Sequence, residues 1–214
     1  NLDLGGHKGL RSIFAVGLAA LNEECLPRDI DASLNRDWSD YYASLCVISQ
    51  TSPRICIEIL SLLWDVSTAS AAKVCDGFAD VLLCHITDGN SESPQTVHLH
   101  DLQLEYCIGA AEMASCFSGW HERLLYGMLK QAGIVSDSSV ASFSRIPSCR
   151  FLEAFCSDSL PLPVESYMLD HFVRHICSVE QCLEMALQVL KDYRWLRKVS
   201  ERRGLPAAAR NYSD

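Results

Sequence analysis

Apolar positions recur at intervals of three and four residues over most of this chain. In residues 8 to 22, Leu10, Ile13, Phe14, Leu18 and Leu21 make one stripe of an amphipathic helix. Residues 23 to 37 are polar, contain Pro27 and read as a loop, after which Trp38, Tyr41, Leu45 and Ile48 predict a second helix. Pro53, with its fixed φ, suits the start of a third helix over Ile55 to Trp64. Ser67 is the expected N-cap of a fourth, which runs to about Val81.

The period then changes. Leu83-Cys84-His85-Ile86-Thr87 and Thr96-Val97-His98-Leu99 are short β-rich runs on either side of a turn-forming loop, Asp88 to Pro94, and predict a hairpin. A helix resumes at Asp101, a suitable N-cap, and carries Leu102, Leu104, Cys107, Ile108 and Ala111. Helices followed by one hairpin are the element order of a winged helix. Beyond Gly119 the pattern is helical only: Trp120 to Gln131, a Ser-rich connector at 136 to 148, then Val164 to Cys177, Val179 to Lys191 and Tyr193 to Arg203, with Pro161 and Pro163 opening the later group. The expected fold is mainly α, a winged helix with a small β-hairpin wing over 1–115 and an all-α domain of antiparallel helix pairs over 116–214.

Charge narrows the partners. The chain has 214 residues and a formal charge of −9, from 18 basic and 27 acidic side chains, a balance that repels nucleic acid and anionic lipid. Between Asp37 and His98 only Arg54 and Lys73 are basic, against eight acids, so a DNA-binding winged helix is disfavoured. Residues 191 to 210 depart from this with seven basic and two acidic side chains, which read as a solvated helix face or a contact with an acidic part of a parent protein. No run approaches the roughly 18 to 20 apolar residues of a membrane span. Eleven cysteines cannot all close in pairs, and none forms a CxxC. Most lie among apolar neighbours, as in Leu45-Cys46-Val47, where a reduced thiol is a small hydrophobe, and a cytoplasmic location is expected. The chain opens at Asn1 without Met and is expected to be a piece of a longer protein.

Few side chains stand out as chemistry. His98 and His100 share a strand face by the two-residue period, a spacing open to a metal pair for which no third ligand is evident. His171 and His175 lie i, i+4 but lack the glutamate of HExxH, Glu165 preceding both; helical packing accounts for them better. His121-Glu122-Arg123-Leu124-Leu125 starts like that motif and fails it. No Cys/His or Ser/His arrangement supports catalysis, and GxxxxGK followed by Ser or Thr occurs nowhere, so no enzyme activity is expected of the chain itself.

The most specific string is Val97-His98-Leu99-His100-Asp101-Leu102-Gln103-Leu104-Glu105-Tyr106. Its Leu99 to Gln103 (LHDLQ) resembles the MHD-type motif of the NB-ARC, or STAND, nucleotide-switch ATPases in their apoptotic protease-activating-factor-like form. Leu10 to Leu21 is similar to the opening helix of that family's winged helix, and Ile59 to Val66 (ILSLLWDV) to its L..LW helix. Leu190 to Asp214, containing DYRWL, resembles the helical domain of the WD-repeat members, with Leu205-Pro206-Ala207-Ala208-Ala209 departing from the usual aliphatic pair.

The resemblance implies a regulatory role. His100 would contact the β-phosphate of ADP, Asp101 would support the motif and cap the next helix, and Leu102 and Leu104 would act through packing. ADP or ATP with Mg would be bound mainly by an NB-ARC core absent from this sequence. The partners implied are that core, a WD-repeat propeller and, on activation, further copies of the protein, with no nucleic acid and no membrane. Exchange of ADP for ATP would release the winged helix and permit oligomerisation, in apoptosis or innate immunity. The alternative is an acidic winged-helix and helical-repeat scaffold that binds other proteins without nucleotide.

Overall fold

The computed structural model describes residues 15–21, 37–89, 93–100, 103, 117–135, 146–156, 159–179 and 182–204. They fall into two units, Asn1–Cys116 and Phe117–Asp214. The fold is mainly α, with one small antiparallel sheet in the first unit and only helices described in the second.

In the first unit, residues 15–21 are helical (α1). Helix α2, Trp38–Ser49, starts where the Asp37 carboxylate accepts the Asp40 N–H at 2.9 Å. Strand β1, Ile55–Cys56, and helix α3, Ile57–Trp64, come next, followed by α4, Thr68–Asp80. Ser67 caps α4 as expected, its Oγ accepting the Ser70 N–H at 3.1 Å. Strands β2, His85–Thr87, and β3, Thr96–His98, complete a sheet ordered β1-β3-β2. This helix-strand-helix-helix-hairpin order, with the first strand beside the last, is that of a winged helix.

Strand β1 corrects the expectation of an unbroken helix from Ile55. Ile55 and Cys56 are both buried, and Ile55 lies opposite Val97 while Cys56 lies opposite Thr96. A short apolar run has no period of its own, and the unpaired edge of β3 decides its conformation. Pro53 therefore precedes a strand, and α3 begins two residues later behind Cys56, which gives no side-chain cap.

The core of this unit is aromatic and polar-anchored. Trp64 Nε1 donates to Ser44 Oγ at 2.7 Å, and Ser44 Oγ donates to the Tyr41 carbonyl at 2.7 Å, so a buried indole and hydroxyl satisfy each other. Trp38 and Tyr42 both meet Phe78 edge-on. Gly77 makes room for this: a Cβ there would lie 2.6 Å from Trp38 Cη2. Helix α3 closes at Asp65, whose φ of 55° is left-handed.

The second unit contains α5, Phe117–Gln131; α6, Ser148–Cys156; α7, Leu162–Cys177; α8, Leu183–Lys191; and α9, Tyr193–Arg203. Helix α6 is a correction, since no element is expected between the Ser-rich connector and Val164. It buries Phe151, Leu152, Ala154 and Phe155. Phe155 and Phe172 pack on each other at 4.9 Å and both on Trp195, at 5.0 and 5.3 Å, so α6, α7 and α9 share one aromatic centre. Helix α8 starts at Leu183 rather than Val179, because Ser178 and Val179 still bond back to the last turn of α7. Pro161 and Pro163 open α7 as expected.

The basic run of α9 is not simply a solvated face. Lys198 Nζ sits 2.7 Å from the buried Glu165 carboxylate of α7, Arg202 lies 3.6 Å from its other oxygen, and Arg203 pairs with Asp170 at 2.8 Å. Arg194 pairs with Asp192 at the start of α9, and Arg197 pairs with Glu201 one turn along it. Among the described residues no helix is long and apolar enough to cross a membrane.

Candidate functional site

The central strand β3 carries the candidate motif to its C-terminal end. Val97 is buried against β1 and β2, His98 is half-buried, Leu99 is buried and His100 is exposed. That alternation seats the motif's leucine in the core and leaves its histidine facing out. The backbone of His100 is held on both sides by one residue: its N–H donates to Gln103 Oε1 at 2.8 Å, and its carbonyl accepts the Gln103 N–H at 2.8 Å. A glutamine reaching back three residues in this way is one half of a capping box. The amide of Gln103 is itself anchored, Nε2 donating to the Leu82 carbonyl at 3.0 Å. Leu82 holds a left-handed φ of 61° in the turn between α4 and β2, which aims that carbonyl at Gln103.

The cap bonds described at this junction lie on His100 and Gln103; the cap expected from Asp101 falls on a residue outside the described ones. Asp101, Leu102 and Leu104 lie outside the described residues. The signal for Gln103 is present in the sequence, as His-x-x-Gln at capping-box spacing.

His98 does not stand alone either. It lies directly opposite His85 on β2, the two rings 4.6 Å apart between centroids. Burial first, then His85 and Arg54, hold the His98 imidazole below its ordinary value. Among the described residues no group of three His, Cys, Asp or Glu side chains is arranged to hold a metal.

In the second unit the i, i+4 histidines separate in role. His175 is fully buried, its Nδ1 2.7 Å from His121 Nδ1 of α5 and its Nε2 3.1 Å from the Tyr167 hydroxyl. Both ring nitrogens are thus engaged by the protein, and His171 packs on Tyr167 instead. Desolvation keeps both buried imidazoles neutral, His121 with its value lowered to about 4.

The described cysteines are free thiols. Burial pushes Cys56 and Cys84 up to about 12 and Cys75 up as well, so these thiols stay protonated, unlike reactive nucleophiles. Helix α4, which reads DNA in many winged helices, carries Lys73 against Asp76 and Asp80.

The chain matches no family model and no curated protein sequence. What stands out at the candidate site is therefore its own geometry: an exposed histidine at a strand end, with its main chain fixed.

Proposed function

We propose that this chain is the winged-helix and helical-domain region of an NB-ARC-type nucleotide-switch ATPase, in which His100 contacts the β-phosphate of ADP and holds the closed state. The observation that carries the reading is the presentation of His100. A ring N–H is a good donor to a phosphate oxygen, and its value as a sensor depends on the main chain beneath it not moving. Gln103 supplies that fixation from both sides and ties it, through Leu82, to the turn that follows α4. Buried Leu99 anchors the same strand end in the core.

The residues present fit the role of a donor to a diphosphate held elsewhere; the phosphate-cradling loop and magnesium site belong to a core that this sequence does not contain. ADP supplies the anionic group, and the chain supplies orientation. His100 contributes a contact that differs between closed and open states, which is what allows exchange of nucleotide to shift the balance between them. The winged helix moves as a body, because its motif is bonded into its own core. The chain itself performs no catalysis. Its partners are the nucleotide-binding core, a WD-repeat propeller and, in the open state, further copies of the protein. Its acidic first unit keeps it off nucleic acid, and its free thiols suit the cytoplasm.

The test lies in the coding sequence upstream of Asn1. The reading expects GxxxxGK followed by Ser or Thr after an apolar strand, within about one or two domain lengths. A full upstream sequence without it leaves His100 no diphosphate to sense and favours the interaction scaffold.

A further inference from the structure

The small sheet carries a second feature that the switch reading does not use. The pairings Ile55↔Val97 and His85↔His98 set the register of all three strands. Continued one residue past the end of β1, this register sets Arg54 beside His98, whose imidazole feels the Arg54 charge, so Arg54, His98 and His85 follow one another across the sheet. The alternation places this row on the outer face: Ile55 and Val97 turn into the core, while Arg54 and His85 are exposed and His98 is half-buried. Arg54 and Lys73 are the only basic residues between Asp37 and His98, in a stretch with eight acids. One of those two cations therefore stands beside a pair of imidazoles whose rings lie 4.6 Å apart, tilted by 36°. Arg54 makes no ion pair among the described residues.

We propose that Arg54, His98 and His85 bind a condensed phosphate, a di- or triphosphate group, laid across the strands. The chemistry of the row selects the ligand. A guanidinium beside two imidazoles repels a metal cation and welcomes an oxyanion, which it can take in two parallel hydrogen bonds. Two strand spacings make the row about 10 Å wide, enough for a chain of two or three phosphates and more than a single tetrahedral anion spans. The groups that act on His98 are His85 on β2 and Arg54 ahead of β1, both of which disfavour its protonation. A bound polyanion reverses that field, so binding takes up a proton at His98 and strengthens as pH falls. The proposal is independent of the nucleotide-switch reading, since it needs no phosphate-cradling domain.

The test uses the 214-residue chain and inorganic pyrophosphate. Imidazole proton signals are followed by NMR at about pH 6 and about pH 8 during titration, and affinity is measured by calorimetry. The expected result is that the His85 and His98 signals move together, that binding is tighter at the lower pH, and that Arg54→Gln weakens it about tenfold while Arg54→Lys loses less. Arms with ADP and with triphosphate distinguish a nucleotide from a free condensed phosphate as the source; tighter binding of either supports the row. Arg54 and His85 are exposed and His98 is half-buried, and the NMR spectrum reports directly whether each variant is folded. Unmoved histidine signals at millimolar pyrophosphate overturn the proposal, as does wild-type affinity in Arg54→Gln. So does a response to zinc or to short duplex DNA in place of pyrophosphate.

Discussion

Gln103 donates from Nε2 to the Leu82 carbonyl at 3.0 Å while its Oε1 accepts the His100 N–H, so one buried side-chain amide joins the strand end to a turn 21 residues earlier. Replacing it with leucine keeps the bulk and removes both bonds. Gln103→Leu is expected to lose about 1 to 3 kcal/mol in denaturant unfolding, because two polar backbone groups lose a buried partner. Gln103→Glu retains the acceptor for His100 but sets an oxygen against the Leu82 carbonyl, and should fall between the two. An unchanged unfolding midpoint in Gln103→Leu would show that the bridge contributes nothing.

Gly77 should resist the smallest enlargement. Alanine is ordinarily the better helix former by about 1 kcal/mol. Here its Cβ would enter the Trp38 ring, which is buried against Phe78. Gly77→Ala is therefore expected to destabilise the first unit by about 1 to 3 kcal/mol, the range for overpacking. Tryptophan fluorescence and thermal unfolding check it, and a stabilised variant would mean that Trp38 has room to move.

The buried imidazoles of the second unit set an acid limit. His121 and His175 are held neutral in the folded chain, His121 with its value lowered from 6.5 to about 4. Below about pH 6.5 the unfolded chain takes up protons that the folded one refuses, so stability is complete above that pH and falls towards pH 4. His121 alone contributes roughly 3 kcal/mol of this loss by pH 4. The double variant His121→Leu/His175→Leu should flatten the slope of Tm against pH between these limits, even though it loses the Tyr167 hydrogen bond. Parallel slopes for the two proteins would contradict the assignment.

The Lys198 and Glu165 pair is a different kind of contact from the surface pairs around it. Glu165 is 5% exposed, so removal of its nearer cation leaves a carboxylate inside with only Arg202 at 3.6 Å. Lys198→Met is expected to cost about 3 kcal/mol, and Lys198→Met combined with Glu165→Gln should recover much of it. Arg197→Ala, which breaks an exposed pair with Glu201, should cost under about 1 kcal/mol. Equal costs for the two single variants would show that burial does not matter here.

What could be read from the sequence was what periodicity and end signals encode locally. Ser67 caps the helix it precedes, and Tyr193 to Arg203 has the bounds its pattern predicts. Strand β1 was hidden because Ile55 and Cys56 take their conformation from Val97 and Thr96, some forty residues away. Helix α6 was hidden by its Ser-rich approach, although Phe151, Leu152, Ala154 and Phe155 carry helical spacing. At the candidate site, the two-residue period that puts His98 and His100 on one strand face was legible. The partners that fix them were not: Leu82 acts through a carbonyl, which no side-chain pattern reports, and the Arg54 row exists only once three strands are in register.

The central claim is the role of His100, and it is tested most directly by measuring the nucleotide that stays with the intact full-length protein through purification. Wild-type protein should retain about one ADP per chain and remain monomeric, whereas His100→Ala should lose ADP and shift towards the oligomer, since it lacks the contact that favours the closed state. Equal ADP content and equal oligomeric state in the two proteins would contradict the account.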